Sequence, residues 1–298
     1  VHNGRGLKEN FKNFFIIQFD KPIRNYGTWE NTTHSSWEGE SEHEGKGVGA
    51  WVRFDSGVKV QAKVASSYIS PEQAELNLRN ELGNFSTLEE TKQAAWKIWN
   101  DQLHQIFVEG GTEEEKATFY SCYFRANLFS RKFYELDKEG NPYYFSPYDG
   151  KIHDGYMYTD TGFWDTFRAQ FPLNVLVHPD MHGKYVAALL DAYDQCGWLP
   201  SWSFPGEGGS MIGNHAISLL ADAWSKGIRT FDPVKALQAY YHEATNKGPW
   251  GPSNGRDGWK EYFTLGFVPY PKYSESTAKT LEYAYDDFCG FKLAEMIG

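Results

Sequence analysis

The residue pattern changes near residue 67, and this change constrains the fold more than any other feature. Three short runs of partly alternating apolar residues precede it, separated by turns rich in Gly, Asn and Ser, at 11–19, 49–54 and 58–66. From residue 70 onward helix-start signatures take over. Ser70-Pro71-Glu72-Gln73 combines a capping serine with proline at the first helical position. The sequence therefore predicts a β domain followed by an α-helical one.

The capping signature recurs along the second part of the chain. It is found at Ser86-Thr87-Leu88-Glu89, at Thr112-Glu113-Glu114-Glu115 and at Asp232-Pro233, and the last helix is predicted to open at Ser274 or Ser276. We expect about seven helices and few strands after residue 70. Long loops are predicted at 139–162, 197–212 and 247–272, and loops of such length are usually functional. Their tryptophans either fill core or contact a ligand with flat apolar faces, such as a sugar.

Composition and charge exclude several classes of protein. The 298 residues include 29 basic and 39 acidic side chains, and no basic stripe interrupts the net charge of −10. Binding to nucleic acid or to an anionic membrane surface is therefore disfavoured. No apolar run approaches the roughly 18 residues of a membrane helix, so no membrane insertion is expected. Three widely spaced cysteines do not form a zinc or disulfide framework.

One candidate binding stretch is Phe163-Trp164-Asp165-Thr166-Phe167-Arg168. Asp165 and Arg168 lie three residues apart on a predicted helical turn. They can pair with each other, or they can each bind hydroxyl groups beside the ring of Trp164. The sequence leaves both interpretations open.

Two later helices carry further candidates. His215 and Asp222 share a helical stripe with Lys226, so His215 is either a structural or a binding residue, and Asp222 is either a binding residue or an ion-pair partner of Lys226. Glu282 and Asp286 share one flank of the last helix, where they either repel each other and raise a pKa or accept hydrogen bonds from loop amides. A transition-metal site at His178 and His182 is disfavoured, because Pro179 argues against a helix there.

Several of these stretches resemble glycoside hydrolase family 92, the calcium-dependent inverting exo-α-mannosidases. The resemblance is carried, in the family's order, by 64–77 (VASSYISPEQAELN), 95–103 (AWKIWNDQL), 163–168 (FWDTFR), 197–202 (GWLPSW), 211–227 (MIGNHAISLLADAWSKG), 266–269 (GFVP) and 280–288 (TLEYAYDDF). It implies an α+β multidomain chain. Residues 1–67 would form the C-terminal part of a β-sandwich, residues 68–110 linker helices, and residues 111–298 the first part of an (α/α)₆ barrel.

The resemblance also implies a function. The parent protein would be a calcium-dependent α-mannosidase, acting on the α-1,2 linkage of mannose-containing glycans such as N-glycans or mannan, and secreted, periplasmic or at the cell surface. Trp164, Asp165, Arg168, His215 and Asp222 would contribute to the substrate site. The family's acid and base stretches, Glu-Gly-x-x-Trp-Gln-Tyr and Asp-x-Asp-x-Gly-Gln, do not occur in this sequence, nor does its Asn-Glu-Pro-Ser loop. The chain is therefore expected to be a fragment without catalytic residues, and most calcium ligands would lie outside it.

Two other interpretations remain. The chain can be a non-catalytic carbohydrate-binding or structural fragment, or part of another (α/α)₆-barrel glycosidase that acts on glucosides or trehalose. The reading frame beyond residue 298 would distinguish them, because only the mannosidase interpretation requires the two carboxylate stretches to follow.

Overall fold

The computed structural model describes residues 10–85, 87–251 and 253–298, which form two compact units. One unit consists of Phe14–Ile98, and the other of residues 10–13 and Trp99–Gly298. Within the described residues, every helix is too short or too polar to cross a membrane.

The strands of the first unit form two antiparallel sheets. Their bounds are β1 Phe14–Phe19, β2 Asn25–Glu30, β3 Ser35–Glu38, β4 Val48–Arg53 and β5 Ala62–Ser67. β1 pairs with β5, and β2 lies between β3 and β4. The sequence predicted β1, β4 and β5 but missed β2 and β3. Gly49 on β4 is required by packing, because a Cβ atom there would overlap the indole of Trp29 on β2.

The helices of the first unit begin at side-chain caps. α1 (Pro71–Asn77) continues into a π-helical turn, Leu78–Leu82, and is followed by α2 (Leu88–Leu103). The predicted Ser70 cap is confirmed, because its hydroxyl accepts a hydrogen bond from the Gln73 N–H at 3.1 Å. At α2 the cap is Thr87, which accepts from the Glu90 N–H at 3.2 Å, while the Glu90 carboxylate accepts from the Thr87 N–H at 3.0 Å. Ser86, the predicted cap, lies outside the described residues.

The second unit is mainly helical, as predicted. Its helices are α3 Glu113–Ala126, α4 Phe163–Thr166, α5 Gln170–Val177, α6 Pro179–Cys196, α7 Ala216–Ser225, α8 Pro233–Thr245, α9 Trp259–Leu265 and α10 Ser276–Ile297. The predicted caps Thr112 and Asp232 are confirmed. α7 lies at the centre and packs against α6, α8 and α10. Its Ile217, Leu220 and Ala223 are completely buried.

The prediction of few strands after residue 70 was wrong. Two short strands precede the first predicted loop, β6 Arg131–Lys132 and β7 Glu135–Leu136. Others occupy part of the predicted loops, at β8 Pro142–Phe145, β9 Ile152–Asp154, β10 Tyr158–Thr159, β11 Thr161–Gly162 and β12 Trp202–Ser203. Strands of two to four residues are too short to show an alternating pattern. The β11–β12 pair matters most, because it fixes the chain immediately before α4.

The expectation that Pro179 prevents a helix was also wrong. Pro179 is the first residue of α6, a position at which the backbone N–H has no helical partner and proline is therefore tolerated. The ring of His178 contacts the hydroxyl of Tyr123 at 3.1 Å. His182 is buried, and burial lowers its pKa to about 4. Both imidazoles are thus packed within the helical unit.

Candidate active site region

The first candidate stretch is held in place by the short sheet before it. Gly162 pairs with Trp202 across β11 and β12 and serves as the N-cap of α4. The Thr166 hydroxyl donates a hydrogen bond to the Gly162 carbonyl at 3.0 Å, which closes the single helical turn. On this turn Trp164 is half-buried, and the carboxylate of Asp165 is exposed to solvent.

Arg168 does not pair with Asp165, one of the two alternatives from the sequence. Its Nη2 atom instead donates to Oε1 of Glu282 on α10 at 3.1 Å. The physical reason is that α4 ends at Thr166, so Arg168 does not continue the turn on which Asp165 lies. The guanidinium carbon also lies 4.4 Å from the ring centre of Phe167 and 5.6 Å from that of Trp164. Arg168 therefore joins the α4 segment to α10.

His215 is the centre of a buried charged cluster. It is the N-cap residue of α7, and its side chain is only 1% exposed. Nδ1 lies 2.8 Å from Oδ1 of Asp286, and Nε2 lies 3.3 Å from Oε2 of Glu282, the latter without hydrogen-bond geometry. The ring of Phe167 stacks on the imidazole with centroids 4.4 Å apart. One imidazole thus lies between two carboxylates.

Asp286 is the buried end of this cluster. Its Oδ2 atom accepts a hydrogen bond from the backbone N–H of Asn214 at 2.6 Å, and its side chain is completely buried. This contact matches the alternative in which the carboxylates of α10 bind loop amides. The order Asp286, His215, Glu282, Arg168 alternates acidic and basic groups from the interior to the surface. We call these four residues the charged relay.

A second polar network lies behind Asn214. Its side-chain amide donates to Oε2 of Glu243 on α8 at 3.2 Å, and Glu243 also accepts from the backbone N–H groups of Leu199 at 2.9 Å and Gly255 at 3.0 Å. Burial raises the pKa of Glu243 to about 8. Glu243 therefore connects the 197–212 and 247–258 loops to the start of α7.

Arg256 completes this network. It is completely buried, its Nε atom donates to the side-chain oxygen of Asn214 at 3.0 Å, and its Nη2 atom lies 2.8 Å from Oδ1 of Asp287. Sequence reasoning missed both Glu243 and Arg256. A signal for Glu243 exists in the spacing of α8. Tyr240 follows Ala236 by four residues and Glu243 follows Tyr240 by three, which places all three on the buried face.

Asp222 lies outside the charged relay. It is seven residues after His215, which corresponds to about 10 Å along a helix axis. Its carboxylate forms an ion pair with Lys226 at 2.8 Å on a partly exposed surface. The structure thus brings Trp164, Arg168 and His215 together with Glu282, while Asp222 belongs to a local i,i+4 pair.

The described residues do not contain a suitable metal centre. No three His, Cys, Asp or Glu side chains among them are arranged to hold a metal ion. Glu282 already pairs with Arg168 and lies beside His215. Asp286 already binds His215 and the backbone N–H of Asn214. We therefore derive no step through calcium from this chain.

Comparisons with known proteins agree with this architecture. The model of the glycosyl hydrolase family 92 N-terminal domain matches residues 1–67, and that of the family 92 catalytic domain matches residues 73–298. A family 92 inverting mannosidase from Bacteroides thetaiotaomicron is 44% identical, with a TM-score of 0.95. A family 92 α-mannosidase from the same organism, in complex with mannoimidazole, is 28% identical with a TM-score of 0.80. A protein described as an uncharacterized secreted glycosidase from Arthroderma benhamiae is 24% identical over 268 residues.

The matched relatives are much longer than this chain. The first mannosidase structure covers the whole chain, which spans 40% of that protein; the mannoimidazole complex covers 96% of the chain, which spans 37% of it. The fungal glycosidase covers 84% of the chain, which spans 30% of its length. The fold and the two family matches define a glycosyl hydrolase chain with an N-terminal β domain and a helical catalytic domain. The chain belongs to glycosyl hydrolase family 92.

Proposed function

We propose that the protein containing this chain is an inverting exo-α-mannosidase, and that the chain supplies part of its mannose-binding site. The observation that carries this proposal is the charged relay, in which Arg168 pairs with Glu282 and lies 5.6 Å from the ring centre of the half-buried Trp164. An aromatic face next to fixed charged groups suits a sugar, which has both apolar C–H faces and hydroxyl groups. The 44% sequence identity with a family 92 inverting mannosidase supports a mannoside as the substrate.

In this proposal three residues of the α4 segment, which comprises residues 163–168, have a binding role. Trp164 forms a wall of the sugar site, and the exposed Asp165 carboxylate accepts hydrogen bonds from hydroxyls. Arg168 donates to sugar hydroxyls from the guanidinium N–H groups that do not bind Glu282. His215 supports Glu282 from the interior. Asp222, near the C-terminal end of α7, contributes only indirectly, through its ion pair with Lys226.

The catalytic acid and base are proposed to lie outside these 298 residues. Inversion requires two carboxyl groups roughly 6.5–9.5 Å apart, one to protonate the leaving oxygen and one to activate water. Glu282 and Asp286 do not suit this task, because both are engaged by the same imidazole. We propose calcium dependence and an (α/α)₆ barrel on the basis of family membership, and we propose α-1,2 as the linkage to test first. A secreted location is supported by the description of the fungal relative.

A second candidate function is a non-catalytic carbohydrate-binding fragment. It is favoured by one observation, since the acid and base stretches expected of the mannosidase do not occur among these 298 residues. This candidate and the mannosidase proposal share the sugar site and differ only in whether this polypeptide hydrolyses a glycoside.

Both candidates can be tested with two preparations, the protein that contains this sequence and the 298-residue chain alone. Each is incubated with an aryl α-mannoside while ¹H NMR follows the anomer released first. The containing protein is expected to release β-mannose, and the chain alone is expected to release none. Initial release of α-mannose, or activity only on α-glucosides, would contradict the mannosidase proposal. Turnover by the chain alone would contradict the external position of the acid and base.

A further inference from the structure

We propose that Glu282 is itself a sugar-binding residue, and that His215 and Asp286 are positioning residues that orient its carboxylate. The inference rests on the proposed function and adds a substrate contact to the α4 segment. Glu282 is the one carboxylate of the charged relay that reaches the surface, since its side chain is 19% exposed whereas that of Asp286 is completely buried.

The contacts of Glu282 leave it capacity to bind hydroxyl groups. Oε1 accepts from Arg168, and Oε2 faces Nε2 of His215. An ionised carboxylate offers about four acceptor positions, so about two remain. Arg168 has five N–H donors, and one of them binds Glu282. The pair therefore presents free acceptors and free donors side by side, an arrangement that suits the neighbouring hydroxyls of a pyranose ring.

The geometry behind Glu282 is that of a support. The imidazole of His215 is held on one face by Phe167 and at Nδ1 by Asp286, which is itself fixed by the backbone N–H of Asn214. With Nδ1 hydrogen-bonded to Asp286, Nε2 lies 3.3 Å from Oε2 of Glu282, an ion-pair distance without hydrogen-bond geometry. A glutamate side chain on a helix surface has several rotamers, and this support selects one of them before a sugar arrives. Asp286 would therefore act on substrate binding through His215 and Glu282.

The test is a double-mutant cycle in the protein that contains this chain, with an aryl α-mannoside as substrate. Glu282→Gln and Asp286→Asn are made singly and together. Glu295→Gln is the control, because Glu295 lies on the same helix in an exposed i,i+3 pair with Lys292. We expect each single variant to raise KM at least tenfold with a smaller change in kcat. The double variant should be no worse than Glu282→Gln alone, because Asp286 acts through Glu282.

The outcomes separate this inference from the proposed function. An active wild type with an unchanged KM in Glu282→Gln would overturn the sugar contact alone. Effects of the two variants that multiply in the double variant would overturn the positioning role of Asp286. If Asp286→Asn does not fold, as judged by its thermal transition, His215→Gln replaces it in the cycle with the same expectation. A wild type that releases no mannose would overturn both the proposed function and this inference.

Discussion

Glu243 is buried and accepts hydrogen bonds from three donors, and these two features shift its pKa in opposite directions. The donors favour the ionised carboxylate, whereas burial favours the neutral acid and dominates, with the nearby Glu207 carboxylate adding to it. The pKa is raised from 4.5 to about 8. Since the folded protein then binds the proton more tightly than the unfolded chain, this group destabilises the fold progressively as the pH rises from about 4.5 to about 8.

The size of the effect follows from the shift. One pKa unit corresponds to about 1.4 kcal/mol, so the full shift is worth at most about 5 kcal/mol of unfolding free energy. Glu243→Gln has no ionisable group and should lack this loss. Its amide nitrogen cannot accept a hydrogen bond. With that nitrogen in place of Oε1, the variant loses the contact from Leu199 and keeps those from Gly255 and Asn214, at a pH-independent cost of about 1 kcal/mol.

The assay is urea unfolding of the 298-residue chain, followed by tryptophan fluorescence at pH 5 and pH 8.5. Wild type should lose about 2–5 kcal/mol more than Glu243→Gln between these two values. Glu295→Gln is the matched control, because it makes the same substitution at an exposed position, in the i,i+3 pair with Lys292. Parallel pH slopes for wild type and Glu243→Gln would refute the reasoning and would show that the three donors outweigh burial.

Other predictions address the sugar site, the metal, a strained loop and the exposed apolar surface. In the protein that contains this chain, Asp165→Ala should lower kcat/KM for an aryl α-mannoside at least about tenfold, since loss of a hydrogen bond from a hydroxyl to a charged carboxylate costs roughly 1.5–3 kcal/mol. A change within twofold would place Asp165 outside the site. EDTA should abolish that activity and Ca²⁺ restore it, whereas full activity after exhaustive chelation would favour another helical-barrel glycosidase. Gly209→Ala should lower the melting temperature of the chain by several degrees, because Gly209 has a positive φ and its added Cβ would overlap the Trp250 carbonyl; an unchanged transition would contradict this. The isolated chain should self-associate in light scattering, because Leu281 and Phe288 on α10 are largely exposed.

The parts of the fold that the sequence predicts are those that depend on local chemistry. Ser70, Thr112 and Asp232 cap helices because each side chain reaches a backbone N–H two or three residues away. Such contacts are contained in a few consecutive residues. The strands of the second unit are different, since a two-residue strand such as β11 exists only through its pairing with β12, about 40 residues later.

The charged relay could not be predicted for the same reason. Its hydrogen bonds join His215 to Asp286, 71 residues apart, and Arg168 to Glu282, 114 residues apart. Local spacing offered only nearer partners for these charges and left their pairing open. Asp222 and Lys226 form their local pair, whereas Arg168 pairs with Glu282 on α10 and not with Asp165. The difference is that α7 continues to Ser225, the residue before Lys226, whereas α4 ends at Thr166, two residues before Arg168.

Helix α10 shows why a hydrophobic stripe alone does not identify the buried face. Their spacing of three and four residues places Leu281, Ala284 and Phe288 on one apolar stripe of this helix, and all three are exposed in this structure. The face that is buried carries Lys279 and Asp286, which are paired with Asp257 and His215. Burial of charged groups is stable only when each has a partner, and both do. A helix with apolar residues around its whole circumference is typical of one that is covered on every side. The buried face of α10 therefore carries the support for Glu282, and its exposed apolar side chains form the surface through which we expect the chain to associate.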